Sequence, residues 1–329
     1  MGKDMEQTAK GNFLRNNLRN FSVFIPSVLI VIVMLVVGQI LVNGFASITS
    51  LSGMLMSASL LVIPAIGQTT VVMSGNDGID MSIGAIMSMT ALLGPMIKIG
   101  GSMVLPFSLV IVLGIGALWG LVNGMLIWYL KIPALVLTLA MSYVIDGASF
   151  FITKAQPAVD VSKSLTNISQ IVFPPIRILT LIAIIVLIAM QALLTYSRFG
   201  KQLVLVGNNR KAANLGGMPV SRISILAYVI SGTLAGFAGL LLVGFAGSAQ
   251  MQMASNYTLL TVAAAVIGGT KLAGGVGNFI STALGALALI MLTTILQAMN
   301  MPSGARVFVQ GAILLIILLI NNRSEKLRQ

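Results

Sequence analysis

Long apolar runs separated by short polar breaks fill most of this chain. A run of about 20 apolar residues, folded as an α-helix, spans the hydrocarbon core of a bilayer. The pattern predicts about ten such helices, at residues 21–42, 50–73, 80–97, 103–130, 133–153, 175–195, 223–247, 255–270, 276–298 and 304–321. The predicted fold class is therefore an all-α polytopic membrane protein, with a transmembrane domain over residues 21–321.

Cationic residues cluster in three segments that this helix count places on one side of the membrane. The segments are a basic leader at residues 1–20, a long internal loop at residues 196–222 and a tail at residues 322–329. Lys and Arg concentrate in the cytoplasmic loops of membrane proteins. An even number of spans then predicts that both termini and the internal loop are cytoplasmic.

The amino-acid composition mainly excludes classes of function. The chain of 329 residues is 57% hydrophobic and 8% charged, whereas a soluble domain is typically about 25% charged. The absence of Cys and His removes thiolate metal sites and the commonest general base. No G-x-x-x-x-G-K-[S/T] loop is present to hold a nucleotide phosphate. We expect neither an enzyme nor a metal site, and the net charge of +12 is better explained by membrane topology than by nucleic-acid binding.

Two glycine-rich polar breaks interrupt the apolar pattern. The first, within "VVMSGNDGIDMSIGAIMSM", places Asp80 on the inner rim of the membrane, where one apolar run ends and the next begins. Its carboxylate is expected to cap a helix starting at Met81, with Ser82 as an alternative cap. The second, "GGTKLAGGVGN", follows a similar apolar run. Paired interrupted segments hint at a parallel duplication and often flank a transport path. The candidate gate or hinge residues are Gly78, Asp80, Ser82, Gly268, Gly269, Gly274 and Gly275.

Glycines recur every fourth residue in two of the predicted helices. One set includes Gly116, Gly120 and Gly124, and the other includes Gly232 and Gly236. Small residues at this spacing allow helix backbones to approach closely. Tight packing and sliding of these helices are both consistent with the pattern.

The loop at residues 196–222 contains signals for a short capped helix. Asn208 or Asn209 is suited to accept hydrogen bonds from the first free N–H groups of a helix at 210–215. Gly216 or Gly217 is suited to the left-handed residue that ends it. Such a helix can fit a groove on a soluble partner and transmit its movement, or it can simply lie on lipid headgroups.

The motif "GNNRKAANLGG" in this loop resembles the G-N-x-E-A-A-x-x-x-G loop of ABC importer permeases, which couples to the ATPase. Other segments resemble the ribose-type, carbohydrate-uptake permeases in the same order: "GNDGIDMSIGAIMSMT", "GLVNGMLIWYLKIPALVLTLAM" and "AAAVIGGTKLAGGVGNFISTALGALALIML". Together they cover roughly residues 45–320. The resemblance implies a type II-like importer permease in a bacterial cytoplasmic (inner) membrane.

The resemblance also implies partners and a coupling site. It implies ABC ATPase subunits, a second permease copy or a homologue, an extracytoplasmic solute-binding protein and a small polar solute. ATP and Mg would be used by the partner ATPase, and no cofactor would be bound by this chain. The residues matched to the coupling loop are Asn209, Arg210, Lys211, Ala212, Ala213, Leu215 and Gly217. Two features depart from the family pattern: Lys211 stands in place of a Glu, and Asn76-Asp77 resemble an insertion.

The resemblance implies a sugar or sugar-like solute as cargo, and the small number of ionisable residues within the apolar runs favours a neutral one. The candidate pathway residues, which can equally join helices by hydrogen bonds, are Asn123, Thr138, Ser142, Asp146, Gln250, Asn256, Asn278 and Gln297. The binding protein is expected to dock near Lys98, Lys154 and Lys163. The alternatives are a nucleoside, a furanosyl autoinducer or a branched-chain amino acid as cargo, or a stand-alone secondary transporter.

Overall fold

The computed structural model describes residues 24–99, 102–103, 105–154 and 161–323. The predicted leader, residues 1–20, and residues 324–329 of the predicted tail lie outside the described residues. The helices, in chain order, are α1 (Phe24–Leu41), α2 (Ile48–Met73), α3 (Ile83–Met96), α4 (Leu105–Leu130), α5 (Ala134–Thr153), α6 (Lys163–Thr166), α7 (Ile178–Tyr196), α8 (Arg198–Asn208), α9 (Arg210–Leu215), α10 (Val220–Ala246), α11 (Tyr257–Ile267), α12 (Phe279–Ala298) and α13 (Ser303–Arg323).

Each of the predicted apolar runs contains a helix. Within the described residues, the 7 helices long and apolar enough to cross a membrane are α1, α2, α4, α5, α7, α10 and α12. The helices α3 and α11 are apolar but shorter, with 14 and 11 residues. The fold is therefore that of a polytopic, almost wholly helical membrane protein.

Several predicted boundaries were wrong because polar turns occupy the ends of the apolar runs. The helix predicted from residue 80 begins at Ile83, since residues 74–82 form turns. The helix predicted at 255–270 is only α11, because residues 251–256 and 268–269 form turns. The loop predicted at 196–222 contains a second helix, α8, and its last residues belong to α10.

Among the described residues, two pairs of short antiparallel strands and one short 3-10 helix lie between the helices. Strand β1 (Lys98–Ile99) pairs with β2 (Ser102–Met103), and β3 (Ile171–Phe173) pairs with β4 (Ile176–Arg177). The 3-10 helix is Asn167–Ser169. Strands of two or three residues are too short to give a periodic pattern, so these strands were not predicted from the sequence.

The helices α2 and α10 form the centre of the bundle. Most of each helix is buried, and α10 packs against α4 along a seam of glycines. A Cβ added to Gly116 would overlap the carbonyl oxygen of Gly232, and one added to Gly232 would overlap that of Gly116. The close approach predicted from the glycine spacing is therefore confirmed on this face, whereas Gly114 faces open space.

Loops from four parts of the chain meet at one end of the bundle, here called the basic end. They are residues 74–82, 131–133, 197–219 and 268–278. At the opposite end, Leu165 of α6 packs against Gly244 near the end of α10. The grouping agrees with the alternation of sides expected for helices that run back and forth across a bilayer.

Candidate functional site

The short helix α9 projects from the basic end. The Asn209 side-chain oxygen accepts a hydrogen bond of 2.9 Å from the N–H of Ala212. Gly217 has φ +75° and ends the helix in the left-handed region, while Gly216 does not. The predicted capped helix is therefore confirmed, with Asn209 rather than Asn208 as its cap.

One face of α9 is anchored and the other is exposed. Ala213 is buried against the bundle, while Lys211, Ala212 and Asn214 are exposed. Leu215 is 89% exposed. Together with the exposed Lys211, Ala212 and Asn214, this side chain gives the outer face of α9 a mixed apolar and polar surface that a partner can reach.

Arg210 fixes α9 to the helices beneath it. Its Nη2 donates to the hydroxyl of Ser224 on α10 at 3.0 Å, and its guanidinium carbon lies 4.6 Å from the centre of the Trp128 ring on α4. Burial lowers the pKa of Arg210, and the interaction with Tyr228 opposes this shift. An arginine remains charged despite such a shift. Its contacts with Ser224 and Trp128 link α9 to both α10 and α4.

A cluster of glycines joins three segments just beneath this loop. Gly75, Gly274 and Gly275 have φ of +75°, +94° and +70°, and the N–H of Gly275 donates to the carbonyl of Met73 at 3.0 Å. A Cβ on Gly207, at the end of α8, would overlap the Met73 carbonyl oxygen. We call Gly75, Gly207, Gly274 and Gly275 the glycine junction; it ties the two polar breaks to the loop that carries α9.

The other predicted hinge glycines lie beside this junction. Gly78 donates its N–H to the carbonyl of Gly75 at 3.2 Å. Gly269 has φ +82°, and a Cβ on Gly268 would meet the Thr282 backbone of α12 at 2.6 Å. The two breaks that were predicted from sequence therefore meet in space.

Asp80 is completely buried inside the bundle. Its Oδ1 accepts from the N–H (3.0 Å) and hydroxyl (2.6 Å) of Ser82, and its Oδ2 accepts from the Ser231 hydroxyl (2.8 Å). The Asn123 amide nitrogen donates to the Ser82 hydroxyl at 2.8 Å. Thr138 accepts from the N–H of Met81 at 2.9 Å. Side chains from three helices, α4, α5 and α10, thus hold the first break.

This burial corrects two expectations about Asp80. It lies inside the bundle rather than on the inner rim, and it does not cap a helix at Met81, because α3 begins at Ile83. Ser82 is the residue before the helix, but its side chain makes no capping hydrogen bond and donates to Asp80 instead. The carboxylate therefore organises the break from within the bundle.

Replacing Asp80 by Asn should lower the thermal stability of the protein less than replacing it by Leu. Asn keeps an oxygen for Ser82 and can donate its amide to Ser231. Leu leaves the donors of both serines without an acceptor, at about 1–3 kcal/mol for each buried group. Thermal unfolding in detergent measures the difference, and equal losses would show that the negative charge itself is required.

A polar cleft of about 300 Å³ opens between α3, α5 and α11. Ser142 and Asp146, one turn apart on α5, line it together with Gln252, whose amide nitrogen donates to Asp146 at 2.9 Å. Hydroxyls of Ser88, Ser255 and Thr258 add to the lining. No cation is among the residues that line it, so the cleft suits a solute with hydroxyl groups.

The structure does not bring the predicted pathway residues together. Asn123 and Thr138 are buried in the Asp80 network, because each bonds to the first break. Asn278 caps α12, accepting from the N–H groups of Ile280 and Ser281. Asn256 and Gln297 line a separate cleft of about 380 Å³ between α11, α12 and α13, and Gln250 is exposed in the loop before α11. Ser142 and Asp146 alone of the eight line the cleft beside α5.

Sequence reasoning missed two polar contacts of Asp80. Ser231 lies within a glycine-rich helix and gave no separate signal. The Gln68 amide, in the orientation that satisfies both its groups, pairs with the Asp80 carbonyl (3.1 Å) and N–H (3.3 Å). Gln68 could have been found from the sequence, because it is a lone amide in the apolar run of α2 and such groups form hydrogen bonds across helices in membranes.

The apolar helices and the glycine-packed core are those of a multi-pass membrane protein, and the exposed loop helix is suited to contact with a soluble partner. A family model described as "Branched-chain amino acid transport system / permease component" matches residues 50–318. The chain belongs to this family, the permease subunits of ABC importers, which places it in the bacterial cytoplasmic (inner) membrane. Membership confirms the prediction of a transport subunit rather than an enzyme.

Two curated relatives are similar over nearly the whole chain. The ribose import permease protein RbsC of Escherichia coli (strain K12) is 29% identical over 306 residues, which cover 91% of this chain and 94% of the relative. The autoinducer 2 import system permease protein LsrC of Escherichia coli (strain SMS-3-5 / SECEC) is 30% identical over 312 residues, covering 94% and 89%. No solved structure matches the chain.

Proposed function

We propose that this chain forms the membrane pathway for a sugar or sugar-like neutral solute, which an extracytoplasmic binding protein delivers. Two copies of the chain, or one copy and a homologous permease, enclose the pathway. Two ATPase subunits bind at the basic end and use ATP and Mg, while this chain binds no cofactor. The observation that carries the proposal is the exposed face of α9, with Leu215 89% exposed beside an anchored Arg210.

The proposed topology has about ten crossings, with the basic end and both termini in the cytoplasm. The shorter helices α3 and α11, together with α13, complete the crossings begun by the 7 long helices. The loop at residues 196–222 is then the cytoplasmic coupling loop, in agreement with its cationic residues. The opposite end, which holds Lys98 in β1, Lys154 after α5 and Lys163 in α6, faces the binding protein.

Movement of the ATPases is proposed to reach the pathway through α9. The chain from α9 to Gly207 is short, and the glycine junction connects Gly207 to both polar breaks. Backbone in the left-handed region without side chains allows these segments to change conformation at low steric cost. Gly78, Asp80 and Ser82 in one break, and Gly268, Gly269, Gly274 and Gly275 in the other, then form the cytoplasmic gate.

The cleft beside α5 supports a neutral cargo. Its lining offers hydroxyl and amide groups and the Asp146 carboxylate, which suit a solute rich in hydroxyls. The carboxylate of an amino acid would find no cation there and would face Asp146. The names of the two relatives, which import ribose and autoinducer 2, agree with this cargo class.

Replacing Ser142 by Trp should abolish most uptake of a neutral sugar, because the new ring fills the cleft. Val144→Trp is the matched control, since Val144 is 52% exposed and lies on a different face of α5. Uptake of ribose and of leucine is measured in vesicles that contain the chain, its ATPase and its binding protein. Leucine uptake exceeding sugar uptake, or equal activity of both variants, would contradict the proposal.

A further inference from the structure

A further cleft, of about 590 Å³, lies at the basic end between α9, the end of α4 and the start of α5. Arg210 and Lys131 both line it, together with Trp128 and Asp77. With two cations and one carboxylate, the charged residues of the lining favour an anion. The cleft is separate from the polar cleft beside α5 and has no part in the pathway proposed above.

A buried hydroxyl beside this cleft lacks a partner within the described residues. Tyr228 of α10 is 3% exposed and lines the cleft, and its hydroxyl makes no hydrogen bond within the described part of the chain. A buried hydroxyl without a partner is costly. An oxygen atom of a bound ligand, held between Tyr228 and Arg210, would satisfy it.

The residues around the cleft are suited to bind a lipid headgroup. Leu135, which also lines it, is 46% exposed, and Val136 beside it is 56% exposed. These side chains start the apolar surface of α5, so an acyl chain can run along them while the headgroup stays at the loop. Trp at the membrane interface and basic pockets between helices are typical of sites for anionic lipids.

We propose that this cleft binds a phosphate group, in the form of an anionic lipid headgroup, with Arg210, Lys131 and Tyr228 as its donors. Asp77, in the first break, lies on the cleft lining and weakens binding by repulsion. Because Arg210 is also the anchor of α9, a bound headgroup fixes the coupling helix against α4 and α10. The site thereby links the lipid composition of the membrane to coupling.

The test uses the full chain with Trp119→Phe, which leaves Trp128 as the only tryptophan, since the sequence holds two. The protein is placed in phosphatidylcholine vesicles with an equal fraction of bromine-labelled phosphatidylglycerol or bromine-labelled phosphatidylcholine. Bromine quenches tryptophan fluorescence at short range, so the stronger quencher is the lipid that occupies the cleft. We expect phosphatidylglycerol to quench Trp128 more strongly.

Variants assign the preference to the cleft. Arg210→Gln and Lys131→Gln should each lower the preference for phosphatidylglycerol about fivefold, and Asp77→Asn should raise it. Lys201→Gln, which removes an exposed cation from α8 at the same end, should leave it unchanged. Lys131 is exposed, so its variant keeps the test valid if Arg210→Gln does not fold.

Inorganic phosphate separates the two sources of the ligand. A response of Trp128 to phosphate alone, abolished by Lys131→Gln, would support a phosphate site filled by a soluble anion rather than by lipid. Equal quenching by the two lipids with no response to phosphate would overturn the proposal. A preference for phosphatidylglycerol that persists when both cations are replaced would overturn it as well.

Discussion

Replacing Leu215 by Ser should abolish ATP-driven uptake while leaving the chain folded in the membrane. Leu215 is 89% exposed, so its removal costs little within the chain. Burial of a leucine side chain at an interface contributes about 1.5–3 kcal/mol. Its loss therefore lowers affinity for the ATPase by a factor of roughly 10–100.

Tyr196→Ser is the matched control for this experiment. Tyr196 is also a large apolar residue, 80% exposed at the basic end, but it lies at the end of α7 rather than on α9. Co-purification of the ATPase and uptake into vesicles are measured for both variants. An ATPase that binds the Leu215 variant normally, or equal loss in both, would contradict docking through α9.

Gly217→Pro probes the same helix through its geometry. Gly217 has φ +75°, whereas proline holds φ near −65°, so the end of α9 must change direction. We expect loss of uptake with normal membrane insertion. Normal uptake would show that the path of the chain after α9 does not matter for coupling.

The second large effect is expected at the seam between α4 and α10. Gly232→Ala should lower thermal stability by about 1–3 kcal/mol, because its methyl group overlaps the Gly116 carbonyl and the helices must separate. Gly114→Ala should be neutral or stabilising, since nothing lies within 4 Å of that position and alanine favours a helix. Thermal unfolding in detergent compares them, and equal stabilities would contradict the tight seam.

Local rules predicted α9 well because its determinants are close in sequence. The Asn209 cap, the helix Arg210–Leu215 and the left-handed Gly217 lie within nine consecutive positions. The long helices were also predictable, since the bilayer requires long apolar runs. The exposure of Leu215 depends on what the rest of the chain leaves uncovered, so only the structure shows it.

Long-range contacts explain what the sequence did not predict. Asp80 was expected at a rim because it lies where one apolar run ends and the next begins. Ser231, which is distant in sequence, supplies a hydrogen bond that makes its burial tolerable. Asn123 and Thr138 were candidates for the pathway because a polar residue on a helix can face either a pore or another helix. Their hydrogen-bond partners in the first break show that both residues face other parts of the bundle rather than a pore. The periodicity of the sequence does not identify such partners.

In the proposed function, this chain moves solute only when an ATPase drives it through α9. The most direct measurement is accumulation of a neutral sugar in vesicles, with the binding protein and ATP present, with and without the ATPase subunits. We expect accumulation against a gradient only when the ATPase is included. Uphill accumulation by the chain without the ATPase would contradict it.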